Sequence, residues 1–222
     1  MNHSDHPPHD HSSHDHQPPP DEGRQLSDVQ YLEIALRELL IEKGVINADE
    51  IRAGVEALDA VTPAQGARVV ARAWCDDQFR QRLLADGSKA CIELGIDIRP
   101  TRLVVVENTD NWHNVIVCTL CSCYPRLLLG LPPDWYKSRE YRSRVVREPR
   151  KVLAEFGTQL PAGVSLRVHD STADMRYLVL PRRPANSEHL DEEQLAALVT
   201  RDSMIGVTLV QTSLVRTQAI PD

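Results

Sequence analysis

From Ser27 onward apolar residues recur at intervals of three and four. Val29, Leu32, Leu36, Leu39 and Leu40 form one stripe, and Ile34 and Ala35 widen it. That period is helical. Ser27-Asp-Val-Gln30 ahead of it is a capping box, and Gly44 ends it. Residues 47–50 open a second helix that reaches about Leu58. Thr62-Pro63 opens a third, with proline at its first position and Val69, Val70, Ala73 and Trp74 on its apolar side. Shorter helical segments follow at 78–84 and 89–94, the latter stopped by Gly95. Past residue 100 the period changes. Segments 103–107 and 114–117 read as strands, and 164–169 and 176–180 as period-2 strands on either side of a turn at 170–174. Between them a helical turn is expected at 127–129, broken by Pro132-Pro133-Asp134, then a helix at 138–147. A short helix at 191–200 and a last strand at 205–210 complete the pattern. Helices first, then strands mixed with helices, predict an α+β fold. The leading helices have few strands to cover, so they form either a small bundle of their own or an arm that buries its face on a partner.

The chain has 222 residues, 41% hydrophobic and 26% charged, which suits one domain with an extension. A formal charge of −7 argues against a nucleic-acid partner. No apolar run approaches the roughly 20 residues of a membrane span. Residues 1–25 hold six of the nine histidines (His3, His6, His9, His11, His14, His16) among Asp, Ser and Pro. No core can form from that composition, so a disordered tail is expected there, as it is at 218–222. The histidine run reads as a solvated leader or as a weak reservoir for cobalt, nickel or zinc. Its lack of an apolar stretch and the odd cysteine count point to the cytoplasm.

The densest chemistry is Cys118, Cys121 and Cys123, three of five cysteines within six residues. Cys118 and Cys121 lie a helical turn apart. Cys121 and Cys123 flank one residue, too close for both to ligate from a regular helix. If all three bind one ion the loop must wrap around it, with the amides of Ser122 and Cys123 close by. Three thiolates disfavour magnesium and calcium and favour zinc, iron or cobalt. Structural zinc wants four ligands, and no second cysteine pair exists. His113 could complete a set of four, awkwardly, from the incoming strand. A metal claw, a zinc site and unligated thiols all remain open on spacing. A disulfide is the poor reading, because relaxed geometry does not close over so short a separation. Downstream, Arg139, Arg142, Arg144, Arg147, Arg150 and Lys151 form a basic run interleaved with Glu140, Glu148 and Glu155. Ion pairing with carboxylates in an interface, or neutralisation of the claw, suits it better than a phosphate stripe.

Val117-Cys-Thr-Leu-Cys-Ser-Cys-Tyr-Pro125 resembles the metal-binding motif of nitrile hydratase alpha subunits and of the related thiocyanate hydrolase gamma subunit. The likeness continues through Leu129-Gly-Leu-Pro-Pro-Asp-Trp-Tyr-Lys-Ser138 and Tyr141-Arg-Ser-Arg-Val-Val-Arg-Glu-Pro-Arg150. It returns at Arg176-Tyr-Leu-Val-Leu-Pro181 and Thr200-Arg-Asp-Ser-Met-Ile-Gly-Val207, so it spans roughly 27–207. Thr119 resembles the cobalt type, with iron the less favoured alternative. The resemblance implies a helical arm over 26–97 that wraps a beta subunit, then a layered α-β-β-α catalytic domain over 98–217. It implies Co(3+) held by Cys118 as axial thiolate, Cys121 oxidised to sulfinate, Cys123 oxidised to sulfenate, and the deprotonated amides of Ser122 and Cys123. Cys123 and Ser122 are then the catalytic residues, the Cys123 sulfenate oxygen acting as nucleophile or base. An activator protein would load the metal. Asp170, Asp174 and Arg176 match a stretch that supplies hydrogen bonds around the site, with Asp174 standing where relatives commonly have Glu.

Two departures bear on substrate. Nitrile-hydrating relatives usually carry Trp where this chain has Arg126, and a Gln-Gly pair where it has Asp97-Ile-Arg-Pro-Thr101. A cation in place of an apolar wall suits an anionic or polar substrate. Against this, residues 129–138 and 201–203 look more like nitrile hydratase, and the first expectation is the alpha subunit of a cobalt-type nitrile hydratase. The second is the gamma subunit of a thiocyanate hydrolase, giving carbonyl sulfide and ammonia. A third, from another class, is a zinc-stabilised interaction module without catalysis.

Overall fold

The structure is a computed structural model that describes residues 27–212. The histidine-rich segment and the C-terminal tail expected from sequence lie outside those residues. The chain divides into two compact units, Met1–Ile51 and Arg52–Asp222.

In the first unit, α1 (Asp28–Glu42) starts as its pattern predicts. The Ser27 hydroxyl accepts from the Gln30 amide, and the Gln30 side chain accepts in return from the Ser27 amide at 2.8 Å. The helix closes at Gly44 (φ 64°), where left-handed backbone lets Gly44 and Val45 donate to the carbonyls of Ile41 and Leu40. α2 (Ala48–Asp59) begins in this unit and is capped by Asn47 and Glu50, each bonding the other's amide. Neither helix contains a buried residue. Val29, Leu32 and Leu36 lie more than half exposed.

The second unit holds the core. α3 (Ala64–Cys75) begins after Pro63, which sits at the N-cap rather than the first helical position. α4 (Asp77–Ala85) and α5 (Gly87–Glu93) are capped by Asp76 and Asp86. Within the stretch read from sequence as an arm, these three helices bury Val69, Val70, Phe79, Leu83 and Cys91 in the same core as the strands. The strands are β1 (Arg102–Glu107) and β2 (Trp112–Val117), then β3 (Ser165–Asp170) and β4 (Met175–Leu180). Four short helices separate the two pairs: α6 (Arg126–Leu129), α7 (Asp134–Lys137), α8 (Arg139–Arg144) and α9 (Pro149–Glu155). α10 (Glu192–Leu198) and α11 (Arg201–Ile205) follow β4.

β1 pairs in parallel with β4, and β2 in parallel with β3. The two strands flanking the 170–174 turn therefore enter different sheets. α4 and α5 cover β1, α9 covers β3, and the two sheets meet through β2 and β4, giving α-β-β-α layering. No strand forms at 205–210. Thr200 caps α11, which runs through Ile205 and stops at Gly206 (φ 92°), and Val207 then donates back to Asp202. Ile205 and Val207 are buried because the helix end packs inward, whereas Leu209 is exposed. The helix expected at 138–147 ends at Arg144. The Pro132-Pro133 break is followed directly by α7, since proline is tolerated ahead of a helix start. No helix among the described residues is long and apolar enough to cross a membrane.

Candidate metal centre

Val115, Ile116 and Val117 are fully buried, so β2 is fixed up to its last residue. The chain then leaves the sheet and curls. The Cys121 amide donates to Cys118 Sγ at 3.3 Å, and the sulfurs of Cys118 and Cys121 lie 3.3 Å apart, those of Cys121 and Cys123 3.1 Å apart. All three Sγ atoms fall within 4.8 Å of one another. These separations far exceed the ~2.05 Å of a disulfide, and all five cysteines are free. Cys118 is buried, Cys123 half-buried and Cys121 exposed, so the cluster opens on one side. Ser122, also exposed, lies on the loop between the two outer cysteines.

The thiols differ. Hydrogen bonds from Cys123 and then Cys118 bring the Cys121 thiol down to about 7. Burial, then the neighbouring Cys121 sulfur, pushes Cys123 up to about 12. Cys121 thus ionises before Cys123, which donates to it. His113 plays no part. Its Nε2 faces the Gly206 carbonyl at 2.7 Å, which can only accept, so Nε2 carries the proton and Nδ1 accepts from Asn108 at 3.2 Å. Burial holds this imidazole below its usual range, hence neutral.

The register Val117↔Asp170 sets Asp170 beside the start of the loop. Its carboxylate accepts from the Thr119 amide and hydroxyl. Arg176 donates through Nε to the Tyr124 carbonyl at 3.3 Å and through Nη1 to the Thr172 carbonyl. Asp174 is exposed and enters only through its main chain, its carbonyl accepting from the Arg102 amide at 3.0 Å. The carboxylate of Asp174 makes no hydrogen bond to the cysteine loop among the described residues. Arg126 reaches Asp59 at 3.4 Å, and its Nε is buried without a partner. It also lines a cavity of about 120 Å³ with Ile98, Thr101, Tyr124 and Arg176. Arg126 and the 97–101 segment, the two departures from the nitrile-hydrating pattern, therefore open onto one space.

Three residues with no individual role assigned from sequence support the site, two on the loop and one on the strand that leads into it. Tyr136 donates to the Cys123 carbonyl at 2.9 Å, Tyr141 to the Ile116 carbonyl at 2.8 Å, and Arg142 to the Cys121 carbonyl at 3.2 Å. Of the basic run, Arg144 is taken up by Glu140, Glu148 and Glu155. All three fall in stretches that carry the family resemblance, but no local pattern marks their targets.

A convergent three-sulfur cluster at the end of a buried strand, open on one side, fits a site for a soft metal ion. The chain belongs to the nitrile hydratase alpha-chain family, whose model matches residues 27–208. It is 52% identical over 180 residues to the low-molecular weight cobalt-containing nitrile hydratase subunit alpha of Rhodococcus rhodochrous, covering 80% of this chain and 87% of that one. It is 43% identical over 197 residues to the thiocyanate hydrolase subunit gamma of Thiobacillus thioparus, covering 83% and 81%. Among solved structures, a recombinant thiocyanate hydrolase with partially modified cobalt centres superposes with TM-score 0.78 at 42% identity, over 85% of this chain and 93% of that one. A double mutant of an Fe-type nitrile hydratase from Comamonas testosteroni gives 0.76 at 41% identity, over 87% and 96%.

Proposed function

We propose that this chain is the alpha subunit of a cobalt-type nitrile hydratase, adding water to a nitrile to form the amide, active only with a beta subunit. The convergence of Cys118, Cys121 and Cys123 within 4.8 Å carries this reading. The donor set fits, since three sulfurs with the adjacent amides of Ser122 and Cys123 favour a soft or trivalent ion over magnesium or calcium. When bound, cobalt supplies Lewis acidity toward a nitrile nitrogen or a water. Cys118, buried at the strand end, is the anchor. Cys121, exposed and ionising before Cys123, is the thiol most open to oxidation, its thiolate taking up both atoms of one dioxygen to become sulfinate. Cys123, as sulfenate, presents an oxygen that attacks carbon or takes a proton. Asp170 and Arg176 hold the loop's two ends.

The partner side of the proposal rests on α1 and α2, whose apolar residues are uncovered, and on Leu120, 91% exposed beside the sulfurs. An activator protein that loads cobalt, and a cytoplasmic setting that keeps the thiols reduced before loading, belong to the same reading.

A second reading, the gamma subunit of a thiocyanate hydrolase, is favoured by one observation. Arg126 and Arg176 line the cavity beside Tyr124, and two cations suit an anion. The test is to co-express the chain with its beta partner and cobalt, then assay simple nitriles and thiocyanate. Amide formation with one cobalt per chain, and mass increments of two oxygens on Cys121 and one on Cys123, are the expected results. Thiocyanate turnover without nitrile turnover establishes the second reading. Stoichiometric zinc with unmodified cysteines points instead to a non-catalytic module.

A further inference from the structure

The three sulfurs converge although two of them sit on an uncovered loop. Leu120 and Cys121 are exposed, so packing does not hold the curve from outside. The carbonyls of Cys121 and Cys123 take no main-chain hydrogen bond from a neighbouring strand. Each needs a donor or water. Two of the donors come from one short stretch. Arg142 Nη1 donates to the Cys121 carbonyl at 3.2 Å and, more weakly, to Thr119 at 3.5 Å, while its Nε is tied to the Ser138 carbonyl at 3.3 Å. Tyr136 donates to the Cys123 carbonyl at 2.9 Å.

Both donors are themselves held. Tyr136 is fully buried, its ring edge-on to Tyr124 at 5.1 Å and tilted against Tyr141 at 5.7 Å. Ser138 caps α8 by accepting from the Tyr141 amide at 3.1 Å, which fixes the turn before Arg142. Arg142 also differs from its neighbour. Arg144 is surrounded by three glutamates, whereas Arg142 makes no ion pair among the described residues and directs its fork at main-chain oxygens.

We infer that Arg142 and Tyr136 are positioning residues for the metal site: they clamp the carbonyls of Cys121 and Cys123 and so set the loop curvature that makes the sulfurs converge. This rests on reading the cysteines as metal ligands. Outer partners of this kind typically change metal affinity or activity by roughly 10–100-fold when removed. The guanidinium spans Ser138 and the loop with two different nitrogens. A lysine ammonium reaches one of these at a time.

The experiment uses the complex of this chain with its beta partner. Arg142→Ala, Arg142→Lys and Tyr136→Phe are compared with the unsubstituted chain for cobalt affinity by chelator competition, for visible sulfur-to-cobalt absorption, and for thermal unfolding. The expected result is a loss of affinity of about tenfold or more in Arg142→Ala with a shifted absorption band. Tyr136→Phe shifts the band in the same sense, and Arg142→Lys recovers affinity only in part. If Arg142→Ala fails to assemble, Tyr136→Phe, which removes one oxygen and keeps the ring packing, carries the test. Unchanged affinity and absorption in Tyr136→Phe and Arg142→Ala overturn the clamp alone. Affinity lost only in step with the melting transition overturns it too. An unsubstituted complex that binds no cobalt sinks the metal reading and the clamp with it.

Discussion

Asp170 grips Thr119 with both oxygens, Oδ1 accepting from the amide at 2.9 Å and Oδ2 from the hydroxyl at 2.5 Å. The parallel register places this carboxylate opposite Val117, where the buried strand ends and the cysteine loop begins. The pair therefore sets the direction in which the loop leaves the sheet. A charged acceptor with two donors on one residue is a strong local constraint. Thr119→Val and Asp170→Ala are expected to weaken cobalt binding in the complex about tenfold, read by chelator competition. Thr119→Ser keeps the hydroxyl and is expected to bind as tightly as the unsubstituted chain. Equal affinity in all three variants would show that the pair does not organise the site.

Cys121 is expected to be the first cysteine to react in cobalt-depleted protein. Its thiol stands at about 7, against the ordinary 9.0, because Cys123 and Cys118 donate to it. A lowered thiol value means that the reactive thiolate is populated above pH 7 and disappears below it. Iodoacetamide labelling followed by fragment mass spectrometry should give a half-maximum near pH 7 at Cys121. Cys91, which burial pushes up to about 12, should stay unlabelled in the folded chain across that range. A Cys121 midpoint near 9 would mean that the sulfurs do not converge in solution.

The motif is legible because its cysteines are nearly consecutive. Spacing alone brings Cys118, Cys121 and Cys123 into one loop, and no long-range pairing is needed. The caps of α1 and α2 are legible for the same reason, being contacts between residues three apart. Strand partners are not legible. Period 2 marks a strand but does not name its neighbour, and β1–β4 and β2–β3 join residues dozens of positions apart. The donors to the loop fail on the same ground, since Tyr136 and Arg142 act on carbonyls 13 and 21 residues away. The missed α11 has another cause. Its cap is Thr200 with Ser203 rather than Glu or Gln at the third position, so the apolar residues after it read as a strand.

Gly206 is expected to tolerate no side chain. Its φ of 92° is a left-handed conformation, and an added Cβ would lie 2.0 Å from the Asn114 carbonyl oxygen. Its own carbonyl accepts from His113, so it cannot move off β2 without breaking that bond. Strain and overpacking together put Gly206→Ala on the order of 3 kcal/mol less stable, measurable by urea or thermal unfolding. Gly163 is the control, because a Cβ added there would meet nothing within 4 Å and its φ is not positive. Gly163→Ala should unfold within about 0.5 kcal/mol of the parent.

Arg126 is expected to discriminate charge. It is held at 3.4 Å by Asp59 but stays 39% exposed at its side chain, and it shares a cavity with Arg176. A partly exposed cation steers anions and acts little on neutral ligands. Arg126→Ala should therefore weaken thiocyanate, as substrate or as inhibitor of nitrile hydration, by about tenfold, the equivalent of ~1.4 kcal/mol. A neutral nitrile should keep its kcat/KM within roughly threefold, since it loses only packing against the side-chain stem. The thiocyanate effect should shrink as salt rises, because surface charge is screened over ~8 Å at physiological ionic strength. Equal losses for both ligands at every salt concentration would make Arg126 a packing residue of the cavity wall, and the anionic preference would then have to come from Arg176 or from the beta subunit.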